Sequence, residues 1–248
     1  MAENPKRRQD WLAKVLRRLS LSTDRHRTVR SCPICGWSGR RFSLGGPRGK
    51  LRFDARCPGC GSLERHRLAY CVAKDLVTLD FKAILHVAPE KPIAKWLRQC
   101  AGDYLSVDLS SEAMVKMDVT DLKLGDESQT LVWISHVLEH VEDDRKAIAE
   151  IHRVLTPGGV AVVQVPIWRQ QTFEDFSLST PEQRSEAFFQ ANHVRLYGMD
   201  IADRFESVGF STEIVRAQDF GPRAVLEQGL SFPSTNEVFV FRKSVAGR

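Results

Sequence analysis

The sequence predicts an α/β protein in which a parallel sheet, covered by helices on both faces, follows a small cysteine-rich module. Three observations lead to this prediction. From residue 82 onward, apolar strand-like runs alternate with helical patterns, as expected for a parallel sheet with crossover helices. Four of the six cysteines form two Cys-x-x-Cys pairs. The chain of 248 residues, 42% hydrophobic, can form one domain of about 200 residues and a small module.

Charge is divided unevenly along the chain. Residues 1–67 carry 17 lysines and arginines against 5 acids, whereas residues 68–248 carry 19 against 26. A cationic first quarter suits an anionic partner, either RNA or an anionic membrane surface, although a solvated basic face that binds nothing is nearly as common. No apolar run approaches the roughly 20 residues of a membrane span. The N-terminus also lacks the apolar stretch of a secretory signal, so the cytoplasm is the expected compartment.

Residues 1–29 are predicted to form a basic amphipathic helix and a linker. In RQDWLAKVLRRL the apolar residues follow one helical stripe, flanked by Lys14, Arg17 and Arg18. Such a helix can lie on a membrane, lie on RNA or dock against its own protein. The residues that follow are rich in Ser, Thr and Arg, which is typical of a linker.

The paired cysteines predict a zinc ribbon at residues 30–62. Cys32 and Cys35 belong to CPICG, and Cys57 and Cys60 belong to CPGCG after 21 intervening residues. In a reducing compartment, two such pairs indicate a metal site rather than disulfides. Four thiolates leave Zn²⁺ no open position, so the ion is expected to be structural. Residues 63–80 are predicted to form a helix that connects the ribbon to the main domain.

The main domain is predicted at residues 81–248. Its strands are predicted from KAILHVA, DYLSVDL, QTLVWIS and GVAVVQVP, and its helices from KPIAKWLRQC and DDRKAIAEIHRVL. After residue 166 the pattern is irregular until about residue 196. A helix in DIADRFESVG and strands in GFSTEIVRA and NEVFVFRK then follow. Open sheets bind ligands beyond the carboxyl ends of their strands, so residues after each strand are site candidates.

An acidic residue stands at the end of the second predicted strand. Asp108 ends YLSVD, and a carboxylate there suits a pair of ribose hydroxyls because it accepts two hydrogen bonds at once. Asp108 could as easily cap a following helix through SSEAM. The residue types alone leave both roles open.

His136, Glu139 and His140 spell H-x-x-E-H, the pattern of one class of zinc peptidase. That chemistry requires both histidines on one face of an established helix. The preceding TLVWIS is strand-like, and the acids at 142–144 mark a helix N-terminus only afterwards. The two histidines are therefore predicted to flank a strand-to-helix turn, and a peptidase is disfavoured.

The order of HVAPE, VDLS, MDVTDL and SHVLEHVEDD through RVLTPGG, with the closing VFVFRK, resembles the class I S-adenosylmethionine-dependent methyltransferases. It resembles more closely the bacterial members with an N-terminal zinc ribbon. The resemblance implies a Rossmann-like seven-stranded sheet whose last strand is antiparallel. It also implies methyl transfer from bound S-adenosyl-L-methionine to a small-molecule or glycan acceptor.

On this resemblance, Asp108 holds the ribose, Asp118 meets the adenine amino group and Val119 packs on the ring. The segment 135–137 borders the methionine end and the acceptor. The loop HVAPE departs from the family pattern, which has an acid before a glycine-rich turn, and Pro89 fixes its φ and lacks a donor. The implied cofactor-binding residues are His86, Ala88, Pro89, Glu90, Asp108, Leu109, Asp118, Val119, Ser135 and His136.

Methyl transfer needs an in-line approach of the acceptor and in some cases a base. The candidate catalytic residues are His136, His193, Arg195 and Tyr197. The last three alternate along the chain, so in an extended segment they would share one face, and an arginine there suits a carboxylate, phosphate or sugar hydroxyl. Alternatively, Arg195 pairs with an internal acid and His193 caps the next helix.

Two other functions are compatible with the sequence. The basic zinc module could serve an RNA methyltransferase or a nucleic-acid-binding protein. The unusual Ala88-Pro89-Glu90 loop could instead belong to a methyltransferase-like scaffold without catalytic activity. Calorimetric titration with S-adenosyl-L-methionine separates the scaffold from the enzymes.

Overall fold

The computed structural model describes residues 29–46, 51–76, 81–110 and 112–245. The basic amphipathic helix predicted within residues 1–28 lies outside this range. Among the described residues, no helix combines the length and the apolar character that crossing a membrane requires.

The cysteine module consists of two small antiparallel ladders. Strands β1 (Arg30–Ser31) and β2 (Ser38–Gly39) pair with each other, as do β3 (Ser43–Gly45) and β4 (Arg52–Arg56). Helix α1 (Glu64–Leu76) then leads into the main domain. It lies within the connecting helix predicted at residues 63–80, of which residues 77–80 are outside the described range.

A seven-stranded sheet forms the main domain. Its strands are β5 (Ala83–Val87), β6 (Asp103–Asp108), β7 (Val115–Lys116), β8 (Gln129–Ser135), β9 (Leu155–Gln164), β13 (Phe210–Arg216) and β14 (Glu237–Lys243). Their order is β13-β14-β9-β8-β5-β6-β7. The last strand, β14, is antiparallel to both neighbours, and all other pairs are parallel. The predicted fold class is confirmed.

Alternation along the central strands builds two cores, one on each face of the sheet. Leu85 and Val132 belong to one buried cluster, and their neighbours Ile84 and Leu131 belong to the other. Because both faces are covered, these strands are apolar on both sides, which is why they read as nearly continuous apolar runs. Helix α1 and helix α2 (Lys91–Cys100) cover one face, and α3 (Asp144–Val154) and α5 (Ile201–Glu206) cover the other.

The irregular segment after residue 166 forms a small sheet of its own, which the sequence did not predict. Strand β12 (Arg195–Gly198) lies between β10 (Ile167–Arg169) and β11 (Phe173–Glu174). Helix α4 (Pro181–Phe188) lies in the same insert and begins with a capping box between Thr180 and Gln183. Helix α6 (Gly221–Gln228) was also not predicted.

Arg67 ties the cysteine module to the main domain. Its guanidinium donates to the Ala55 and Ser62 carbonyls at 2.9 and 2.8 Å and to the Gln228 carbonyl at 2.7 Å. The same group lies 4.0 Å from the centre of the Phe42 ring. Arg67 is fully buried, so its charge is dispersed over carbonyl oxygens from the module and from the end of α6.

Candidate functional site

The four paired cysteines meet in the module. Their sulfur atoms all lie within 4.8 Å of one another, with 3.7 Å between Cys32 and Cys60 and 3.6 Å between Cys35 and Cys57. Four sulfurs about 2.3 Å from one tetrahedral zinc would be separated by about 3.8 Å. The cluster therefore fits a closed tetrahedral metal site.

Two glycines form the turns that bring these sulfurs together. The N–H of Gly36 donates to the Cys32 carbonyl and the N–H of Gly61 to the Cys57 carbonyl, both at 2.9 Å. Their φ angles of 74° and 77° lie in the left-handed region that glycine adopts without strain. Burial raises the pKa of the Cys35 thiol to about 12. A cation is therefore needed to keep all four sulfurs ionised near neutral pH.

A cavity of about 490 Å³ opens beyond the carboxyl ends of β5, β6 and β8. We call it the switch-point cavity, because the strand order reverses between β5 and β8. Six of the predicted cofactor residues line it, namely Ala88, Asp108, Leu109, Asp118, Val119 and His136.

The remaining wall of the switch-point cavity includes Val137 from the predicted segment 135–137, and otherwise comes from residues that were not predicted to bind the cofactor. It consists of Val87, Met117, Thr120, Val137, His140, Val141, Glu142 and Asp143. Most of these residues follow β8 within the segment 137–143. Their position after a parallel strand was the available signal.

Two residues at this edge have positive φ. Ala88 follows β5 with a φ of 49°, and His136 follows β8 with a φ of 55°. A left-handed conformation costs a residue with a Cβ about 1–2 kcal/mol. Backbone bonds offset the cost, since Ala88 donates to the Val107 carbonyl and His136 to the Gln164 carbonyl, both at 2.8 Å. The chain therefore turns sharply after β5 without a glycine.

The Asp108 carboxylate closes a tight turn at the end of β6. It accepts the Leu109 N–H at 2.6 Å and the Ser110 hydroxyl at 2.7 Å. No helix follows in the described residues 109–110 and 112–114, so the alternative role of helix cap is not seen. Asp118 is similar, since its Oδ1 accepts the N–H and the hydroxyl of Thr120 at 2.8 and 2.9 Å.

Four predicted cofactor residues do not line the switch-point cavity. Pro89 and Glu90 lead into α2, and the buried Ser135 lies beneath the edge of the sheet. His86 is fully buried and contacts the Tyr104 hydroxyl at 2.9 Å and the Glu90 carboxylate at 3.1 Å. Alternation along β5 places His86 on the face opposite Leu85. For His86, Pro89, Glu90 and Ser135 a cofactor contact therefore stays a prediction.

A second cavity, of about 620 Å³, lies between the cysteine module, α1 and the insert. We call it the ribbon cavity. The module side contributes Arg52, Glu64 and Arg65, and the insert contributes residues including Trp168, Phe188, Phe189, Asn192 and His193. His136 lines this cavity as well as the switch-point cavity. The two cavities therefore meet at one side chain.

His136 is held by Glu139. The Nδ1 atom of His136 lies 3.1 Å from Glu139 Oε1, so in the neutral ring the proton is assigned to Nδ1 and Nε2 is the acceptor. Neither His136 Nε2 nor Glu139 Oε2 has a hydrogen-bond partner among the described residues. Burial alone would raise the pKa of Glu139, but the hydrogen bond with His136 and the nearby histidines lower it. Glu139 is thus a carboxylate at 1% exposure.

His193 reaches the ribbon cavity from the insert. It is 3% exposed, and the centre of its ring lies 4.8 Å from that of His140. Burial lowers the pKa of His193 to about 4. Near neutral pH it is therefore an uncharged imidazole and a weak base.

Arg195 and Tyr197 do share one face of β12, but that face points inward and lines neither cavity. Arg195 bonds to Glu174 Oε2 at 2.9 Å and donates to the carbonyls of Leu138, Val141 and Glu142. Tyr197 donates to Asp144 at 2.5 Å. The predicted contact of these two residues with the acceptor therefore has no support from their position. They hold the segment 138–144 in place, and Arg195 pairs with an internal acid, the alternative left open above.

Arg65 is a basic residue of the ribbon cavity that has no hydrogen-bond partner among the described residues. Its Nε is buried, and it makes no hydrogen bond or ion pair with any residue that the structure describes. Burial lowers its pKa against the charges of Glu90 and Glu139. Arg52, in contrast, is bonded to Glu64 at 2.8 Å and lies 4.1 Å from the centre of the Phe232 ring.

The comparisons with known proteins concern the same region. Residues 58–163 match the model of the methyltransferase domain family. Over 164 residues the chain is 28% identical to the malonyl-[acyl-carrier protein] O-methyltransferase of Nitrosospira multiformis. This alignment covers 63% of the chain and 48% of that protein, so the chain spans about half the length of its curated relative.

Two solved structures share the fold. One is the 1,6-didemethyltoxoflavin-N1-methyltransferase of Burkholderia thailandensis, solved with 1,6-didemethyltoxoflavin and S-adenosylhomocysteine (TM-score 0.51, 17% identity, 73% of this chain and 78% of that one). The other is the [4+2]-cyclase SpnF (TM-score 0.53, 16% identity, 83% and 88%). At these identities the likeness concerns the fold alone.

The family match and the sheet agree with each other. The matched residues 58–163 include most of β9 and the whole of β5, β6 and β8, and the carboxyl ends of these last three strands form the switch-point cavity. The seven-stranded order with its antiparallel last strand is the sheet that the resemblance implied. Residues 58–163 are therefore similar to the methyltransferase domain family, and the main domain has a Rossmann-like methyltransferase fold.

Proposed function

We propose that the chain transfers a methyl group from S-adenosyl-L-methionine to a small acceptor that carries an anionic group. The cofactor occupies the switch-point cavity and the acceptor occupies the ribbon cavity. The single observation that carries the proposal is that His136 lines both cavities. A methyl donor in one cavity and an acceptor in the other can therefore meet beside His136, and in-line transfer requires such a direct approach.

The cofactor is held in the proposal by residues at the strand ends. Asp108 receives the ribose hydroxyls, Asp118 the adenine amino group, and Val119 and Leu109 pack on the ring system. Ala88 supports this role, because its left-handed turn lets the backbone approach the cofactor where the family has glycine. His136 borders the methionine end.

The acceptor is held by Arg65. A half-buried arginine whose buried Nε has no hydrogen-bond partner favours a ligand that brings a carboxylate or phosphate, since Arg recognises both with paired N–H groups. The malonyl-[acyl-carrier protein] O-methyltransferase is named for an acceptor of the malonyl class, which makes a carboxylate the first anion to test. Aromatic residues of the ribbon cavity, including Trp168 and Phe188, would cover the body of a small molecule or an anionic saccharide.

The proposed catalytic residue is His136. Its Nδ1 proton is held by Glu139, so Nε2 can accept a proton from an acceptor hydroxyl once the ring turns toward the ribbon cavity. An acceptor that already carries an ionised oxygen would need positioning and no base. His193 remains a proposed wall of the acceptor site, with its low pKa making it the weaker candidate for a base.

The cysteine module would bind one structural Zn²⁺ through Cys32, Cys35, Cys57 and Cys60. It would also form one wall of the acceptor site, because Arg52 belongs to β4 and is bonded to Glu64 at the start of α1. We keep residues 30–62 as the ribbon, 63–80 as the connecting helix and 81–248 as the catalytic domain.

The partner of the basic residues 1–67 and the location of the protein remain predictions from the sequence. An anionic partner of residues 1–67, either RNA or a membrane surface, is tested by the salt dependence of binding. A cytoplasmic location stays a prediction. Methyl transfer must be measured directly, because a protein with the same fold is a [4+2]-cyclase.

The direct test supplies methyl-labelled S-adenosyl-L-methionine with small carboxylic acids, phosphates and their neutral esters as candidate acceptors. The proposal expects label on an anionic acceptor and none on the matching neutral ester. Label on neutral acceptors alone would contradict the role of Arg65. Cofactor binding without transfer to any acceptor would favour the scaffold.

A further inference from the structure

We propose that Glu139, His140 and His193 bind a divalent transition metal ion of the zinc class, separate from the cysteine site. One ligand atom from each of these residues lies within 4.8 Å of the others. Two imidazoles and one carboxylate are a donor set that suits zinc and its neighbours in the first transition row. The proposal concerns metal binding alone and does not depend on the acceptor.

Two unsatisfied polar atoms point into this cluster. Glu139 Oε2 and His193 Nδ1 are buried, and neither has a hydrogen-bond partner among the described residues. Their side chains belong to residues that are 1% and 3% exposed. An unpaired buried carboxylate oxygen is costly, and a bound cation would satisfy both atoms at once.

The surroundings of both histidines suit metal ligands. His140 Nδ1 lies 3.0 Å from the Asn192 carbonyl, so Nδ1 carries the proton and Nε2 is free to bind. His193 Nδ1 is buried without a hydrogen-bond partner among the described residues, which makes it the candidate ligand atom. A ligand histidine whose other nitrogen is held by a carbonyl is the usual arrangement around a protein-bound metal.

The cluster needs a small contraction to close around an ion. Two donors that are each about 2.1 Å from one zinc can be at most about 4.2 Å apart, against separations of up to 4.8 Å here. His140 is the most exposed of the three residues, and rotation of its ring can supply the difference. The site is therefore nearly formed.

Position gives the ion a possible function. His140 lines the switch-point cavity and His193 lines the ribbon cavity, so the ion would lie in the wall between them. Three protein ligands leave a position for a fourth. When bound, the metal could polarise an acceptor oxygen as a Lewis acid.

These ligands differ from those of the H-x-x-E-H pattern. That pattern pairs His136 with His140, whereas here His136 is bonded to the other oxygen of Glu139. His193 takes the place of the second histidine. It comes from the insert, 53 residues after His140, so the pattern alone cannot reveal it.

The test is metal content of the full chain after incubation with zinc and removal of loosely bound ions. We expect two zinc ions per chain for the wild type and one for His140→Gln and for His193→Gln. His152→Gln is the matched control, because its ring packs on Phe210 outside the cluster, and it should keep both ions. Retention of two ions in both cluster variants would overturn the proposal.

Cobalt supplies a second readout that separates the two sites. Co²⁺ is added to the full chain with zinc bound at the four cysteines only. Its spectrum should show d–d absorption without thiolate charge-transfer bands, since nitrogen and oxygen atoms would be the ligands of the cobalt ion. His140→Gln should weaken Co²⁺ binding at least tenfold, equivalent to about 1.4 kcal/mol. Because His140 is partly exposed, this variant should fold even if His193→Gln does not. No cobalt spectrum in the wild type would also overturn the proposal.

Discussion

The Nδ1 atom of His136 lies 3.1 Å from Glu139 Oε1, and this pair lies where the switch-point cavity and the ribbon cavity meet. A carboxylate that fixes one ring nitrogen leaves the other unprotonated, as in enzymes where a buried acid orients a catalytic histidine. The left-handed turn after β8 therefore places this pair beside the space where methyl transfer is proposed.

Replacement of His136 should lower turnover without loss of the cofactor. For His136→Asn we expect kcat to fall by roughly 10²–10⁴ with an acceptor that must lose a proton, the range typical of general-base removal. The dissociation constant for S-adenosyl-L-methionine should change little. Steady-state kinetics and calorimetry on the same preparation measure both. An unchanged kcat would remove His136 from the catalytic role.

Replacement of Arg65 should affect the acceptor and spare the cofactor. Arg65→Met removes the unpartnered guanidinium of the ribbon cavity, so we expect KM for an anionic acceptor to rise at least tenfold, or about 1.4 kcal/mol. Arg145→Met is the matched control, because Arg145 is exposed on α3 and lines neither cavity. An equal KM in both variants would argue against an anionic acceptor.

Loss of the cysteine metal should damage the acceptor site. Cys57→Ser should remove the tetrahedral ion and destabilise the ribbon, which carries Arg52 into the ribbon cavity. We expect loss of thiolate-to-cobalt absorption in the cobalt-substituted protein, together with a raised acceptor KM. Cys100→Ser lies outside the cluster and should leave both unchanged. A Cys57→Ser protein with normal acceptor KM would refute the role of the ribbon as a wall.

Arg67 should contribute more to stability than an ordinary surface arginine. It is fully buried and donates to carbonyls of the module and of the C-terminal region. Arg67→Met leaves these carbonyls without their donor, and we expect a loss of about 3–5 kcal/mol in the free energy of unfolding. Urea unfolding measures it. A loss below about 1 kcal/mol, the range of surface pairs, would show that the clamp contributes little.

The free energy of unfolding should decrease as the pH is lowered through a range set by His66. Burial lowers the pKa of His66 to about 3, and Arg65, His136 and Arg67 act in the same direction, against Glu90. The unfolded chain protonates this histidine near pH 6.5, so below that pH the unfolded state binds the extra proton. The free energy of unfolding should therefore decline from about pH 6.5 down to pH 3, by roughly 3–5 kcal/mol.

Substitution isolates this contribution. His66→Gln should flatten the decline between pH 6.5 and 4.5, where carboxylates are still ionised. Its amide oxygen can replace Nδ1 as the acceptor of the Leu63 N–H, which is 3.0 Å away in the wild type. An identical pH profile in the variant would assign the decline to other groups.

The sheet could be predicted from sequence because its central strands are buried on both faces. Runs such as AILHV and TLVWIS are mostly apolar, and KPIAKWLRQC coincides with α2. The cysteine spacing likewise identified four residues that converge in space. These are local patterns whose physical cause lies in the residues themselves.

Sequence alone could not predict which way a side chain points or which distant residues it contacts. Alternation correctly places Arg195 and Tyr197 on one face, but it does not tell whether that face meets the core or the acceptor. The direction of the His86 side chain was equally unpredictable, since neighbouring residues of a strand point to opposite faces of the sheet. Arg65 has no distinguishing neighbours in SLERHRL. Its importance arises only where the module, α1 and the insert meet.

The most direct measurement is calorimetric titration of the full chain with S-adenosyl-L-methionine, in the wild type and in Asp108→Ala. We expect one binding site per chain in the wild type and at least tenfold weaker binding in the variant, because the carboxylate at the end of β6 is lost. Absence of heat and of any thermal shift at a cofactor concentration on the order of 1 mM, where even weak binding of about −4 kcal/mol is detectable, would contradict it.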